Sequence, residues 1–299
     1  MLLSNEALKE LCNQGIDAAI KAGSLIEFYA NKSIIVNYKD NNGGTSDASK
    51  VVTEVDIKSQ NTILKTLEKG IEKFDLALLT EESVDDKSRF EKDYFWCIDP
   101  LDGTLPFTEG VEGYSVCIAL VNKGGEPVIG IVYDPKNDTL YHAIKGCGAF
   151  VNHKPLSFQH DSTEAFYLIT DRSFVKHRHY KEVELHIKYE ALKNGAQEFN
   201  VIKDMGAAMN AINVIIKRNA CYFKFPKDEQ GGGSIWDFAA TACILNELKM
   251  EVSDFNGAPL PLNKSNTTFM NDCGIIFSPN KEITGWIHSA HKKVQSTNW

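Results

Sequence analysis

The chain of 299 residues contains no apolar run long enough to cross a bilayer, so a membrane span is not expected. It has no CxxC pair. Its seven cysteines, at 12, 97, 117, 147, 221, 243 and 273, are scattered and odd in number, and most lie in apolar runs such as YFWCI and SVCIAL. A disulfide framework is therefore excluded, and the thiols read as buried and free in a reducing cytosol. Basic charge is also short: the formal net charge is −8, with no basic stripe, which argues against a nucleic-acid polymer as partner. A phosphate-bearing substrate stays compatible, because bound cations invert the local field. No internal repeat or low-complexity tract occurs. The first thirty residues carry acids and a helical period instead of a basic start and an apolar core, so neither a signal peptide nor an anchor is expected.

What is present is an ordinary globular composition, 43% hydrophobic and 24% charged, on a chain large for one simple core. Ala7, Leu8, Leu11, Ile16, Ala19, Ile20, Gly23 and Ile26 recur at three- and four-residue steps and predict a long amphipathic helix. The polar, Gly-rich loop NNGGTSDASK (41–50) separates it from a second helix over Val55 to Glu68. Short β-rich runs follow: FDLALL (74–79), YFWCI (94–98), YSVCIALV (114–121), PVIGIVY (127–133) and TLYHAI (139–144). From 165 onward, strand-like AFYLIT, FNVIK, ACYFKF and CGIIFS alternate with helical stretches near 176–192, 205–217, from Trp236, and at the C-terminal end. The reading is α+β to α/β: N-terminal helices on a largely antiparallel sheet over 1–155, then an α/β lobe over 156–299.

Acids stand at the ends of these elements. In WCIDPLDGTLPF, Asp99 and Asp102 follow an apolar run, with Pro100 between them and Gly103 after them. Pro100 holds Asp99 extended and Gly103 permits a tight turn. Two such carboxylates repel one another unless a divalent cation joins them, and hard oxygen ligands suit Mg²⁺, with Mn²⁺ and Ca²⁺ as alternatives. Glu81 and Glu82 follow FDLALLT, Asp56 closes VVTEVD, and Asp237 heads the helix in SIWDFAAT. Asp56 and Asp237 equally fit first-turn helix acids, and Glu81-Glu82 equally fits a solvated loop. The hydroxyl of Thr104 could orient a water, and backbone N–H groups after Gly103 could cradle an anion. Carboxylates, cations and an anion cradle together amount to a metal-assisted phosphoryl hydrolase.

The segments VVTEVD (51–56), EES (81–83), WCIDPLDGT (96–104), GIVYDPKNDTLYHAIKGCGAFVN (130–152) and IWDFAA (235–240) resemble, in order and spacing, the signature stretches of the inositol monophosphatase superfamily. DPLDGT with WD is the specific pair; VTEVD alone is weak. The resemblance spans most of the chain. It implies a layered αβαβα sandwich, a homodimer, and a cytoplasmic, lithium-sensitive, Mg²⁺-dependent phosphomonoesterase with two or three ions. It also implies roles. Glu81, Asp99 and the Leu101 carbonyl would bind one ion. Asp99, Asp102 and Asp237 would bind a second, and Glu81 would help a third. Thr104 with Asp56 would polarise the attacking water. Gly103 and Thr104 would hold the phosphate, and Asp237 and Gln230 would meet the substrate.

Two departures touch the substrate. Leu105-Pro106-Phe107 matches neither the NF ending after DGT usual in inositol phosphatases nor the KEF frequent in 3'(2'),5'-bisphosphate nucleotidases. Where inositol phosphatases carry a glutamate before WD, this chain has Gln230, with Glu229 beside it and GGGS following. The basic stretch 176–193, with His177 and His179, reads chiefly as a solvated face, and as a second-phosphate site in the nucleotide reading. The lead expectation is an inositol monophosphate phosphatase. The alternatives are a 3'(2'),5'-bisphosphate nucleotidase and a non-catalytic metal- or phosphate-binding regulator.

Overall fold

Helix α1 (Asn5–Ala30) buries Leu11, Cys12, Ile16, Ala19, Gly23 and Ile26, the stripe its sequence period dictates. The computed structural model describes residues 2–30, 36–38, 51–162 and 165–296, with the side chains of 36–38, 51, 52 and 296 excepted. The Gly-rich loop expected over 41–50 lies outside the described residues. Strands β1 (Val36–Tyr38) and β2 (Val51–Thr53) pair antiparallel and lead into α2 (Glu54–Phe74). This helix runs six residues beyond the expected Glu68. It stops at Asp75, whose left-handed backbone (φ 52°) returns its N–H to the Ile71 carbonyl. The strand expected from Phe74 therefore begins later, as β3 (Ala77–Thr80).

The chain then lays down β4 (Tyr94–Asp102), the short helix α3 (Thr104–Thr108), β5 (Ser115–Asn122), β6 (Pro127–Asp134), β7 (Thr139–Ile144), β8 (Gly148–Val151) and β9 (Lys154–Leu156). These seven strands form one sheet in chain order, parallel only between β3 and β4. The second half continues with β10 (Phe166–Ile169), α4 (Arg172–Val175), α5 (Tyr180–Lys193), β11 (Phe199–Ile202), α6 (Ala207–Lys217), β12 (Ala220–Lys224), α7 (Ile235–Glu247), β13 (Glu251–Ser253), β14 (Ile275–Ser278) and α8 (Lys281–Ser296). Its sheet has the order β11-β10-β12-β14-β13, with β10 parallel to both neighbours and β14 antiparallel to both of its own.

Side-chain alternation assembles the layers. On β4, Tyr94, Trp96 and Ile98 face α1 and α2, while Phe95 and Cys97 face α6 and α7. On the second sheet, Tyr167, Ile169 and Tyr222 join that central core. Phe166, Leu168, Cys221 and Phe223 face the opposite way, onto α5 and α8. Three cores thus join five layers, α1/α2, sheet, α6/α7, sheet, α5/α8, the central core enclosing α6/α7 between the two sheets, which is the αβαβα sandwich. All seven cysteines are free and six are buried, as the sequence suggests; Cys147 is exposed. No helix among the described residues is long and apolar enough to cross a membrane.

Candidate active site

Strand β4 does not end before its aspartates. It runs through them, with a bulge against β5: Asp99 pairs with Cys117 and Asp102 with Ser115, so that Pro100 and Leu101 stand opposite the single residue Val116. In a regular strand, residues three apart face opposite sides. The extra residue turns both carboxylates to one side, and Pro100, with no N–H to lose, sits inside the bulge. Asp99 is 2% exposed and Asp102 5%. The Asp99 carboxylate accepts the Leu101 N–H at 3.0 Å, which fixes the turn.

Asp56 and Asp237 arrive from helix N-termini. Each is the third residue of its helix in a capping box, with Thr53 for α2 and Ser234 for α7. Asp56 Oδ2 accepts the Thr53 N–H (2.8 Å) and hydroxyl (2.6 Å), while Oδ1 takes the Thr104 hydroxyl at 3.0 Å. Asp237 Oδ2 accepts the Ser234 N–H at 2.6 Å. Both acids therefore cap a helix, as a purely structural account requires. That cap also aims the carboxylate, because it holds one oxygen and turns the other to the site, onto the Thr104 hydroxyl for Asp56 and toward Asp99 for Asp237. One carboxylate oxygen each from Asp99, Asp102 and Asp237 lies within 4.8 Å of the others, a group of three able to hold a metal ion. Glu81 sits on the turn after β3, its N–H bonded to the Ile98 carbonyl at 3.1 Å. Its charge acts on Asp56, Asp99, Asp102 and Asp237 alike. The Thr104 hydroxyl also lies 3.2 Å from the Leu101 carbonyl.

The second half of the chain closes the site from above. Gly103 has φ +81°, and a Cβ there would lie 2.8 Å from the Gly113 carbonyl and 3.2 Å from Gly206 Cα, so a side chain is excluded twice over. The Gly206 N–H donates to the Gly113 carbonyl at 2.7 Å. This approach sets the N-terminus of α6 on Asp102, whose two oxygens accept the Ala207 and Ala208 N–H groups at 3.0 and 2.9 Å. The free N–H groups of a helix start and a buried carboxylate satisfy one another.

Burial and mutual repulsion raise these acids. Burial lifts the Asp102 carboxyl to about 8, reinforced by Asp237 and opposed by the α6 N–H groups. Asp237 is lifted to about 6 by burial and Glu81, with Lys224 opposing. Asp99 stands well above the carboxylate range through burial, then the charges of Glu81 and Asp102. Asp56 is lifted to about 6, chiefly by burial. So much carboxylate in one buried place, with oxygen donors alone, is the environment a hard divalent cation relieves. The residues present fit such a metal.

Three contributors carry no signal in the motifs. Ser59 donates to the Pro100 carbonyl at 2.7 Å, and Gln60 bonds the Glu82 N–H (3.2 Å) and the Ser83 hydroxyl (2.8 Å), so α2 holds both acidic turns. Lys224, at the end of β12, pairs with Asp171 at 2.7 Å and lies 5.5 Å from the centre of the Phe238 ring. Only its proximity to Asp237 and Asp102, through folding, gives it meaning. Gln230 and Glu229 are exposed on the loop between β12 and α7. Helix α5 covers the outer face of the second sheet, away from the acids. His179, read as solvated, is buried.

The profile of the inositol monophosphatase family matches residues 7–296. The Nus factor SuhB of Pasteurella multocida is 30% identical over 84% of this chain and 87% of its own. The 3'(2'),5'-bisphosphate nucleotidase CysQ of Aggregatibacter actinomycetemcomitans is 26% identical over 83% and 86%. The solved structure of a Thermotoga maritima IMPase superposes with a TM-score of 0.71 at 22% identity, covering 93% of this chain and 97% of that one.

Proposed function

The chain belongs to the inositol monophosphatase family, and from that premise we propose that it is a Mg²⁺-dependent phosphatase acting on a small phosphomonoester, inositol monophosphate first. The carrying observation is the grouping of Asp99, Asp102 and Asp237 beside the Thr104–Asp56 hydrogen bond. Asp99, Asp102 and Asp237, with Glu81 and the Leu101 carbonyl, would hold two ions, and Glu81 would help a third; Mn²⁺ would substitute. When bound, such ions supply Lewis-acid activation of water and neutralise phosphate charge. The Thr104 hydroxyl, held on Asp56 Oδ1, orients the attacking water, and Asp56 receives its proton. Asp56 is lifted toward neutrality, which suits a proton acceptor. Backbone N–H groups at Gly103 and Thr104 receive the phosphate oxygens. Asp237, and Gln230 if its loop closes, meet the substrate's hydroxyls.

A second reading, a bisphosphonucleotide substrate, is favoured by Lys224, a cation near the acids that the flanking segments alone do not offer. Phosphate release from inositol 1-phosphate and 3'-phosphoadenosine 5'-phosphate, each with Mg²⁺ and with chelator, tests both readings. Full activity after exhaustive chelation refutes the metal role. A preference of about tenfold or more in kcat/KM for the nucleotide transfers the assignment. No release from either substrate favours a non-catalytic regulator.

A further inference from the structure

The two halves of the site come from chain segments that meet at one seam. Asp99, Asp102 and Thr104 belong to β4 and α3; the N–H groups on Asp102 belong to α6. Helix α3 is only five residues long, and so short a helix does not hold its own position. Phe107 anchors its inner side, buried edge-on against Tyr114 at 5.3 Å. Its outer end is Glu109, whose N–H closes on the Leu105 carbonyl at 3.0 Å.

Arg172, the first residue of α4, grips that end from across the seam. Its Nη1 and Nη2 donate to the two Glu109 oxygens at 2.7 and 2.6 Å, in a fork-to-fork pair. Its Nε lies 3.0 Å from Asp204 Oδ1, two residues before the Gly206 that docks on Gly113. One guanidinium thus ties together the segment that carries Thr104 and the segment that places α6 on Asp102. The residue before it, Asp171, is fixed by the Tyr222 hydroxyl (3.1 Å), Asn210 (3.2 Å) and Lys224 (2.7 Å), so the base of the clamp is rigid. Arg172 is 31% exposed and Glu109 42%, and pairs so exposed contribute little to global stability. Their geometry is more specific than that contribution would justify.

We propose that Arg172 is a positioning residue for the phosphatase reaction: through Glu109 and Asp204 it sets α3 and the start of α6 in register, and so fixes Thr104 and Asp102 relative to Asp237. The inference rests on the phosphatase reading. It acts on catalytic geometry, where a displacement of about 1 Å costs as much as a hundredfold in rate.

The test compares wild type, R172Q, E109Q, the double variant and R172K. Turnover of inositol 1-phosphate with Mg²⁺ is measured beside Mn²⁺ affinity by titration calorimetry and the melting temperature in chelator. R172Q and E109Q are each expected to lower kcat about tenfold with KM within about twofold. Mn²⁺ binding should weaken and melting should hardly move. The double variant should be no worse than R172Q, because the Glu109 contact that E109Q removes is already lost in R172Q, which also releases Asp204. R172K should recover part of the loss. Wild-type kcat and Mn²⁺ affinity in both single variants, or additive losses in the double, overturns the clamp. A rise in KM alone also overturns it, since Arg172 would then touch substrate. If the wild type releases no phosphate, the functional reading fails, and the Mn²⁺ affinities still decide the clamp.

Discussion

Asp102→Asn should make the metal-free protein more stable and the metal-loaded protein inactive. The wild-type carboxyl is held neutral to about 8 in the fold against an ordinary 3.8 in the unfolded chain. At pH 7 folding must therefore take up a proton, at a cost of 1.36 kcal/mol per pH unit over about three units, or about 4 kcal/mol. Asparagine has the same shape and no such cost. Its NH₂ does face one of the two α6 N–H donors, which costs about 1–3 kcal/mol. The net gain is about 2 kcal/mol, or roughly 3 °C in melting temperature for a chain of this size at about 2.1 cal/mol/K of unfolding entropy per residue.

The sign fixes the pH window. Folded Asp102 binds its proton more tightly than unfolded Asp102, so the wild type loses stability as pH rises from about 4 to about 8. Below 4 both states are protonated and the variant's advantage disappears; above 8 the folded carboxyl ionises and the advantage stops growing. Thermal melts in chelator at pH 4, 5.5, 7 and 8.5 read this directly. Saturating Mg²⁺ should reverse the order, because the wild type then gains a ligand charge that the variant lacks. Turnover of the variant should fall by several orders of magnitude, with the developing leaving-group charge uncompensated. An advantage that is absent at pH 7, or equal at pH 4 and pH 7, refutes the repulsion argument. Near wild-type turnover at saturating Mg²⁺ refutes the placement of the site.

Thr104→Ala should lower kcat by about 10²-fold or more with little change in KM, since its hydroxyl is assigned to the water in the transition state; a pure KM effect in steady-state kinetics would make it a substrate contact. Ser59→Ala removes the 2.7 Å bond to the buried Pro100 carbonyl and should cost about 1–3 kcal/mol in chemical denaturation, together with weaker Mg²⁺ activation as the Asp99–Asp102 bulge loosens; unchanged denaturation would show the bond to be dispensable. Gly206→Ala would set a methyl 2.5 Å from Asp102 Oδ2, so the α6 start must shift; lowered melting temperature and activity together are expected, and unchanged values of both would refute the close approach.

The layering is legible in the sequence because each layer rests on a local period. Three-to-four-residue recurrence marks α1, and the unbroken apolar run YFWCI marks a strand buried on both faces, shared between two cores. Asp56 and Asp237 are legible for the same reason: Thr53 and Ser234 stand three residues before them, and the capping box is written in four consecutive residues. That local legibility is also why a purely structural account of them looks sufficient. The bulge is different. Nothing in DPLD states which face Asp102 takes, because the face depends on pairing with Ser115 and Cys117. The partners of Asp102 are more remote still, 105 and 106 residues along the chain, and Lys224 acquires its role only when folding brings its ammonium over the Phe238 ring of α7. Gln230, which the family resemblance sets at a substrate contact, is separated from the helix of Trp236 by three left-handed glycines, 231 to 233, so its place relative to the acids is not written in its spacing. Linear spacing measures position along a regular element, and through such a run the chain is not regular. Chemistry here is therefore specified by the meeting of elements, and the residues to vary first are those on the seam between them.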